Sequence, residues 1–204
     1  MSAVLQSSVN WVFWNFLERL GNPYVYGGMY APALVPQGCD CSGVASWVLQ
    51  ALTLTPPGMP LDENGNWLHT VSTESWGYDY STCTPVAPGT VGPYGTVAVA
   101  SLVDIPESAA LTVDIMHGGG GESSHMQVSL LGTLMESNGT SGTCTNGTGA
   151  YTADATLWTD HWYLPGPIVW DVLPAWQVYI TMFDQADPTV LAAIGAQIDL
   201  PAPV

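Results

Sequence analysis

Apolar side chains recur at helical spacing in two places near the start of the chain. Trp11, Val12, Phe16, Leu17 and Leu20 form one stripe, with Ser8 as the expected N-cap and Gly21 as the stop. Val44, Trp47, Val48, Ala51 and Leu52 form a second, which predicts a helix from Cys41 to about Leu54, ended by Pro56 and Pro57. Between them PYVYGG reads as a short extended piece closing in a Gly-Gly turn, and residues 29–38 as a Pro-containing loop.

The second half alternates instead. Strands are expected over residues 96–103, 110–116, 125–131 and 133–137, with an edge strand near Tyr163 and another over residues 178–182. Residues 56–95 are rich in Pro, Gly, Thr and Ser with little periodicity; they read as a long irregular excursion with a short helix near residues 67–71, and such excursions usually carry function. From Asp187 onward the pattern is one short helix and a Pro-rich exit. Helices first and an antiparallel sheet afterwards is an α+β layout.

Charge narrows the functional classes. Among 204 residues Arg19 is the only Lys or Arg, against 17 Asp and Glu, for a net charge of −16. Nucleic-acid binding needs clustered cations and is excluded; attraction to anionic lipid is disfavoured for the same reason. The N-terminal stretch lacks a basic region followed by a continuous apolar core, so no signal peptide is expected, and no run is long enough for a membrane span.

Four cysteines are too few for a disulfide scaffold in a chain this long. Cys83 and Cys144, in STCTP and GTCTNG, could pair; Cys39 reads as a free buried thiol. A zinc site at Cys39-x-Cys41 lacks a partner pair at metal-ligand spacing, so neither metal nor cofactor is expected. Cys41 differs, because the start of a helix gathers unpaired N–H groups and the positive end of the dipole, which favour a thiolate. Asp40 precedes it, and Ser42-Gly43 allow close approach of another segment.

A thiol nucleophile needs a base, usually His, held by a third polar group. His69 and His161 read as surface or packing residues, and His117, before a glycine run, as a loop residue. His125 opens the alternating run HMQVSLLG, a rigid mounting with Met126, Val128 and Leu130 on the opposite side.

GNPYVYGG, then CDCSGVASWVLQAL, then SSHMQVSLLG resemble the NlpC/P60 cysteine peptidases, which cleave the peptide stems of bacterial peptidoglycan. The resemblance covers roughly residues 8–140, is poor over residues 56–120, and is absent after residue 165. It implies a papain-like fold, N-terminal helices packed on a central antiparallel sheet, with a peptidase domain over residues 1–165 and an extension over residues 166–204 leading toward a wall-binding module. By position it makes Cys41 the nucleophile and His125 the base, sets Tyr24 near the oxyanion, and lines the substrate end with Asp40 and Ser42. The third position, usually His, Asn or Gln, falls near Glu136; either Glu136 or Asn138 then orients the imidazole. The implied partner is the peptidoglycan stem peptide. The implied setting is a bacteriophage lysin held in the host cytoplasm until lysis, or a virion tail component that is lytic or purely structural. A papain-like amidase or acyltransferase would keep the same pair.

Overall fold

The computed structural model describes residues 3–29, 38–54, 68–119 and 123–171. The chain divides into two units, Met1–Val169 and Trp170–Val204. The strand expected over residues 178–182 and the helix expected from Asp187 lie outside the described residues.

The first unit begins with a two-residue strand, β1 (Val4–Leu5), and runs directly into helix α1 (Gln6–Leu17). Ser8 therefore lies inside the helix and is not its cap; Leu5 holds that position with no side-chain hydrogen bond. The start is set from afar, because β1 pairs in parallel with the last strand of the unit, β10 (Ile168–Val169). Val9, Val12 and Phe16 form the buried face of α1, whereas Leu17 and Leu20, expected on the apolar stripe, are exposed. Arg19 folds inward and donates from Nη1 to the Asn15 carbonyl at 2.6 Å.

Helix α2 (Cys41–Thr53) is the centre of the fold, and every residue from Cys41 to Leu52 is buried. A helix covered on all sides must satisfy its polar side chains internally. Gln50 Nε2 donates to Leu68 O at 2.9 Å, and Ser46 Oγ accepts from Val71 N at 3.1 Å. These two bonds fasten residues 68–71 along α2, and the described residues of the short helix expected there, 68–71, are not helical; the local turn is a 3₁₀ segment, Thr73–Trp76. A small hairpin follows, β2 (Tyr78–Asp79) with β3 (Thr84–Pro85).

Six antiparallel strands make the main sheet: β4 (Val97–Val99), β5 (Leu111–Met116), β6 (His125–Leu130), β7 (Thr133–Asn138), β8 (Gly142–Thr145) and β9 (Asp160–Leu164). Their order is β4-β9-β5-β6-β7-β8, so the strand around Tyr163 is internal, between β4 and β5, and not an edge. β4 is shorter than expected because the chain turns into a 3₁₀ segment at Leu102–Asp104. β6 ends at Leu130, where Leu131 and Gly132 at φ 50° and 80° form a two-residue hairpin turn of the twist-compatible kind. Met126, Val128 and Leu130 are fully buried in the core that α1 and α2 share with the sheet. The described part is thus α+β, two helices with a six-stranded antiparallel sheet.

One close approach positions the helix start. A Cβ on Gly43 would overlap the Gly28 carbonyl oxygen, and one on Gly28 would lie 2.6 Å from Gly38 O and 2.9 Å from Cys39 Cα. Both obstacles are backbone, so neither can swing aside. The Gly43→Ala protein is expected to lose roughly 1–3 kcal/mol of stability, and an unchanged midpoint in denaturant unfolding would refute this contact.

Candidate functional site

Asp40 is the N-cap of α2. Its Oδ1 accepts from Gly43 N at 2.6 Å and its Oδ2 from Gly27 N at 2.8 Å, so one carboxylate holds both the helix start and the Gly-Gly turn. Gly27 adopts φ 70°, and Tyr24 meets Cys39 in an isolated parallel bridge. This stacks the half-buried Tyr24 segment against the loop that delivers Cys41 to the first turn. Cys41 itself is 6% exposed.

His125 stands at the start of β6, where alternation turns it away from Met126 and the core. Its Nε2 is 2.6 Å from Glu136 Oε1, and the Cys41 thiol is near enough to act on its protonation. With Nε2 taken by the carboxylate, Nδ1 is left for the sulfur. The ring lies nearly parallel to Trp158 at 5.9 Å between centroids and meets the edge of Tyr151 at 6.0 Å. Burial alone would lower the His125 pKa. Hydrogen bonds to Cys41 and Glu136 and their negative charges oppose it and prevail, raising the pKa from 6.5 to about 9.

Glu136 is fully buried, and such a carboxylate requires several donors. Asn138 Nδ2 donates to Oε1 at 3.0 Å and Tyr151 N to Oε2 at 2.9 Å. Between the two candidates for the third position, Glu136 contacts the imidazole and Asn138 braces Glu136. Asn138 is fixed in turn by Thr140 N and Ser141 N at its Oδ1.

Of the other thiols, Cys144 touches the site only through Asn138, whose Nδ2 donates to its Sγ at 3.3 Å. Cys83 is exposed and Cys144 buried, and the two are free, so the pairing considered for them does not form. Burial, and then the Glu136 charge, push the Cys144 thiol up to about 12. Cys39 is a free buried thiol pushed up to about 11, mainly by burial, with Sγ 3.8 Å from Thr143 Oγ1.

Two histidines differ from their sequence reading. His117 lies in the loop after β5, as expected, but its side chain is buried, stacked on Tyr78 at 4.7 Å, with Nε2 3.3 Å from Asp160 Oδ1 and Nδ1 3.6 Å from Glu74 Oε2. His69 borders the site, its Nε2 2.8 Å from Ser42 Oγ and 3.5 Å from Asp40 Oδ1. Ser42 Oγ also donates to Asp40 Oδ1 at 3.2 Å. His161 packs against buried Asp114, Nδ1 to Oδ1 2.7 Å. His69, Tyr151 and Trp158 were not legible as site residues, because all three sit in aperiodic segments. Among the described residues, no three His, Cys, Asp or Glu side chains group to hold a metal ion.

The arrangement is a thiol at a helix start, an imidazole beside it, and a braced carboxylate behind the imidazole. Such an arrangement is chemically able to combine nucleophilic attack with proton shuttling. A protein-family model described as Endolysin A matches residues 1–171 of the chain. No curated protein matches it.

The folded pKa of His125 lies above the unfolded value, so its protonation stabilises the fold fully below pH 6.5 and that stability is lost as pH rises through about 9. The full amount is about 3 kcal/mol. Thermal midpoints should therefore fall between pH 6.5 and 9, and Glu136→Gln should flatten the decline. An NMR titration of the His125 ring with a midpoint at or below 6.5 would contradict the geometry.

Proposed function

The chain belongs to the Endolysin A family, proteins of bacteriophage cell-wall lysis, and on that premise we propose that it is a cysteine peptidase of the NlpC/P60 type that cuts an amide bond in the peptidoglycan stem. The observation that carries this reading is His125, held at 2.6 Å by buried Glu136, with the Cys41 thiol near enough to raise its pKa.

In this mechanism the Cys41 sulfur, as thiolate, attacks the carbonyl carbon of the scissile amide while His125 carries the proton. The oxyanion is met by the Cys41 backbone N–H at the helix start, with the Tyr24 hydroxyl as a second donor. His125 gives its proton to the leaving amine, the C–N bond breaks, and a thioester to Cys41 remains. Neutral His125 then takes a proton from water, whose oxygen attacks the thioester and frees the acid and the thiolate. Glu136 stays ionised throughout; it fixes the ring and stabilises the imidazolium. Asp40 positions the nucleophile by capping α2, and Ser42 with His69 forms the adjoining wall.

The resemblance to the NlpC/P60 peptidases favours cleavage between a D-isoglutamyl and a diamino-acid residue. The protein would wait in the host cytoplasm and act once the membrane is opened. A chain with one Lys or Arg has no electrostatic pull toward an anionic wall, so wall targeting is assigned to a separate binding module.

Purified protein should release stem-peptide fragments from peptidoglycan, identifiable by mass spectrometry. Cys41→Ala should lower the rate by about three orders of magnitude or more; equal release by the alanine variant would overturn the assignment. Tyr24→Phe should retain partial activity, about 10²-fold reduced if the hydroxyl is an oxyanion donor.

A further inference from the structure

Every side chain of this protein that can carry positive charge is already committed. The sequence holds one Lys or Arg and four His against 17 Asp and Glu. Arg19, the single fixed cation, is 1% exposed. His125 faces Glu136 at 2.6 Å, His161 faces Asp114 at 2.7 Å, His117 lies between Asp160 and Glu74 at 3.3 and 3.6 Å, and His69 lies 3.5 Å from Asp40. Protonating any of these histidines cancels an existing negative charge and creates no free positive one.

The consequence falls on substrate choice. Beside Cys41 the wall is Ser42, His69 and Asp40, and the only one of them able to turn cationic has a carboxylate opposite it. Stem peptides carry carboxyl groups next to the scissile bond, and these occur as free acids or as carboxamides. A free carboxylate entering here loses water, meets no unpaired cation, and feels the field of a chain with net charge −16. A carboxamide of the same shape brings no charge and both donates and accepts hydrogen bonds.

We infer that the Cys41 site takes stem peptides whose carboxyl groups flanking the scissile bond are blocked as carboxamides, and discriminates against the free-carboxylate form. This rests on the peptidase reading above. The selectivity is a property of the whole charge inventory, and His69 is the position at which it can be altered.

The test uses two synthetic stem peptides differing only at the isoglutamyl α-carboxyl, free acid in one and amide in the other, with Cys41→Ala protein as the blank. The amide should be cut with a kcat/KM at least about tenfold higher, the difference lying mainly in KM and shrinking as salt is raised to about 0.5 M. His69→Lys, which places a fixed cation at the wall, should narrow the ratio by improving the free acid alone. Equal cleavage of both peptides by the wild-type chain, or preference for the free acid, overturns the inference and leaves the peptidase reading standing. Cleavage of neither peptide by the wild-type chain sinks the peptidase reading, and the inference with it.

Discussion

The Asp40 carboxylate is the constraint on which the site depends. One oxygen takes the Gly43 N–H and the other the Gly27 N–H, so a helix start and a turn thirteen residues upstream are tied to the same group. That is possible only where two backbones can touch, and Gly28 and Gly43 supply the missing Cβ atoms on either side of the contact. From this junction the rest follows: Cys41 is placed at the positive end of α2, Ser42 turns its hydroxyl to the cap, and His69 closes over Ser42. An apolar residue at position 40 would leave both N–H groups without their acceptor, and Cys41 would lose its mounting with its own side chain untouched.

A second demand is set by burying a carboxylate in a chain already rich in negative charge. Glu136 is tolerated because His125, Asn138 and the Tyr151 N–H all donate to it. Those donors come from β6, β7 itself and the segment after β8, so the sheet register fixes the acid. The raised His125 pKa follows from Cys41 and Glu136 together outweighing burial. Trp158 and Tyr151 pack against the ring and limit its rotation.

How much of this was legible in the sequence depended on how local the cause was. The α2 stripe was readable because its burial follows the helical period, and Cys41 at its head was readable with it. The start of α1 was not, since β1 is held extended by β10, more than 160 residues away in sequence. β8, with Gly, Thr, Cys and Thr, looks like turn material and becomes a strand only because β7 offers it an edge. The inner position of the Tyr163 strand was likewise hidden, because pairing order is a property of the sheet and not of any one strand. His69 was read as a surface or packing residue because its placement comes from Gln50 and Ser46 gripping the backbone on either side of it, two polar residues whose role appears only when α2 is buried. The choice between Glu136 and Asn138 could not be made from spacing, since the two lie on the same strand two residues apart and act in series.

The pairing of β1 with β10 makes the first unit a closed belt. Val4 and Leu5 lie alongside Ile168 and Val169, running the same way, so the two ends of the unit adjoin. A belt buckled at that point can be unbuckled elsewhere without changing which strands are neighbours. If a short linker joined the ends and the chain were cut at the exposed turn around Val103, which is 91% exposed, the order of elements along the chain would be rearranged while every contact that builds the site was kept. The architecture around Cys41 is in this sense circular, and its linear order is one of several that would produce it.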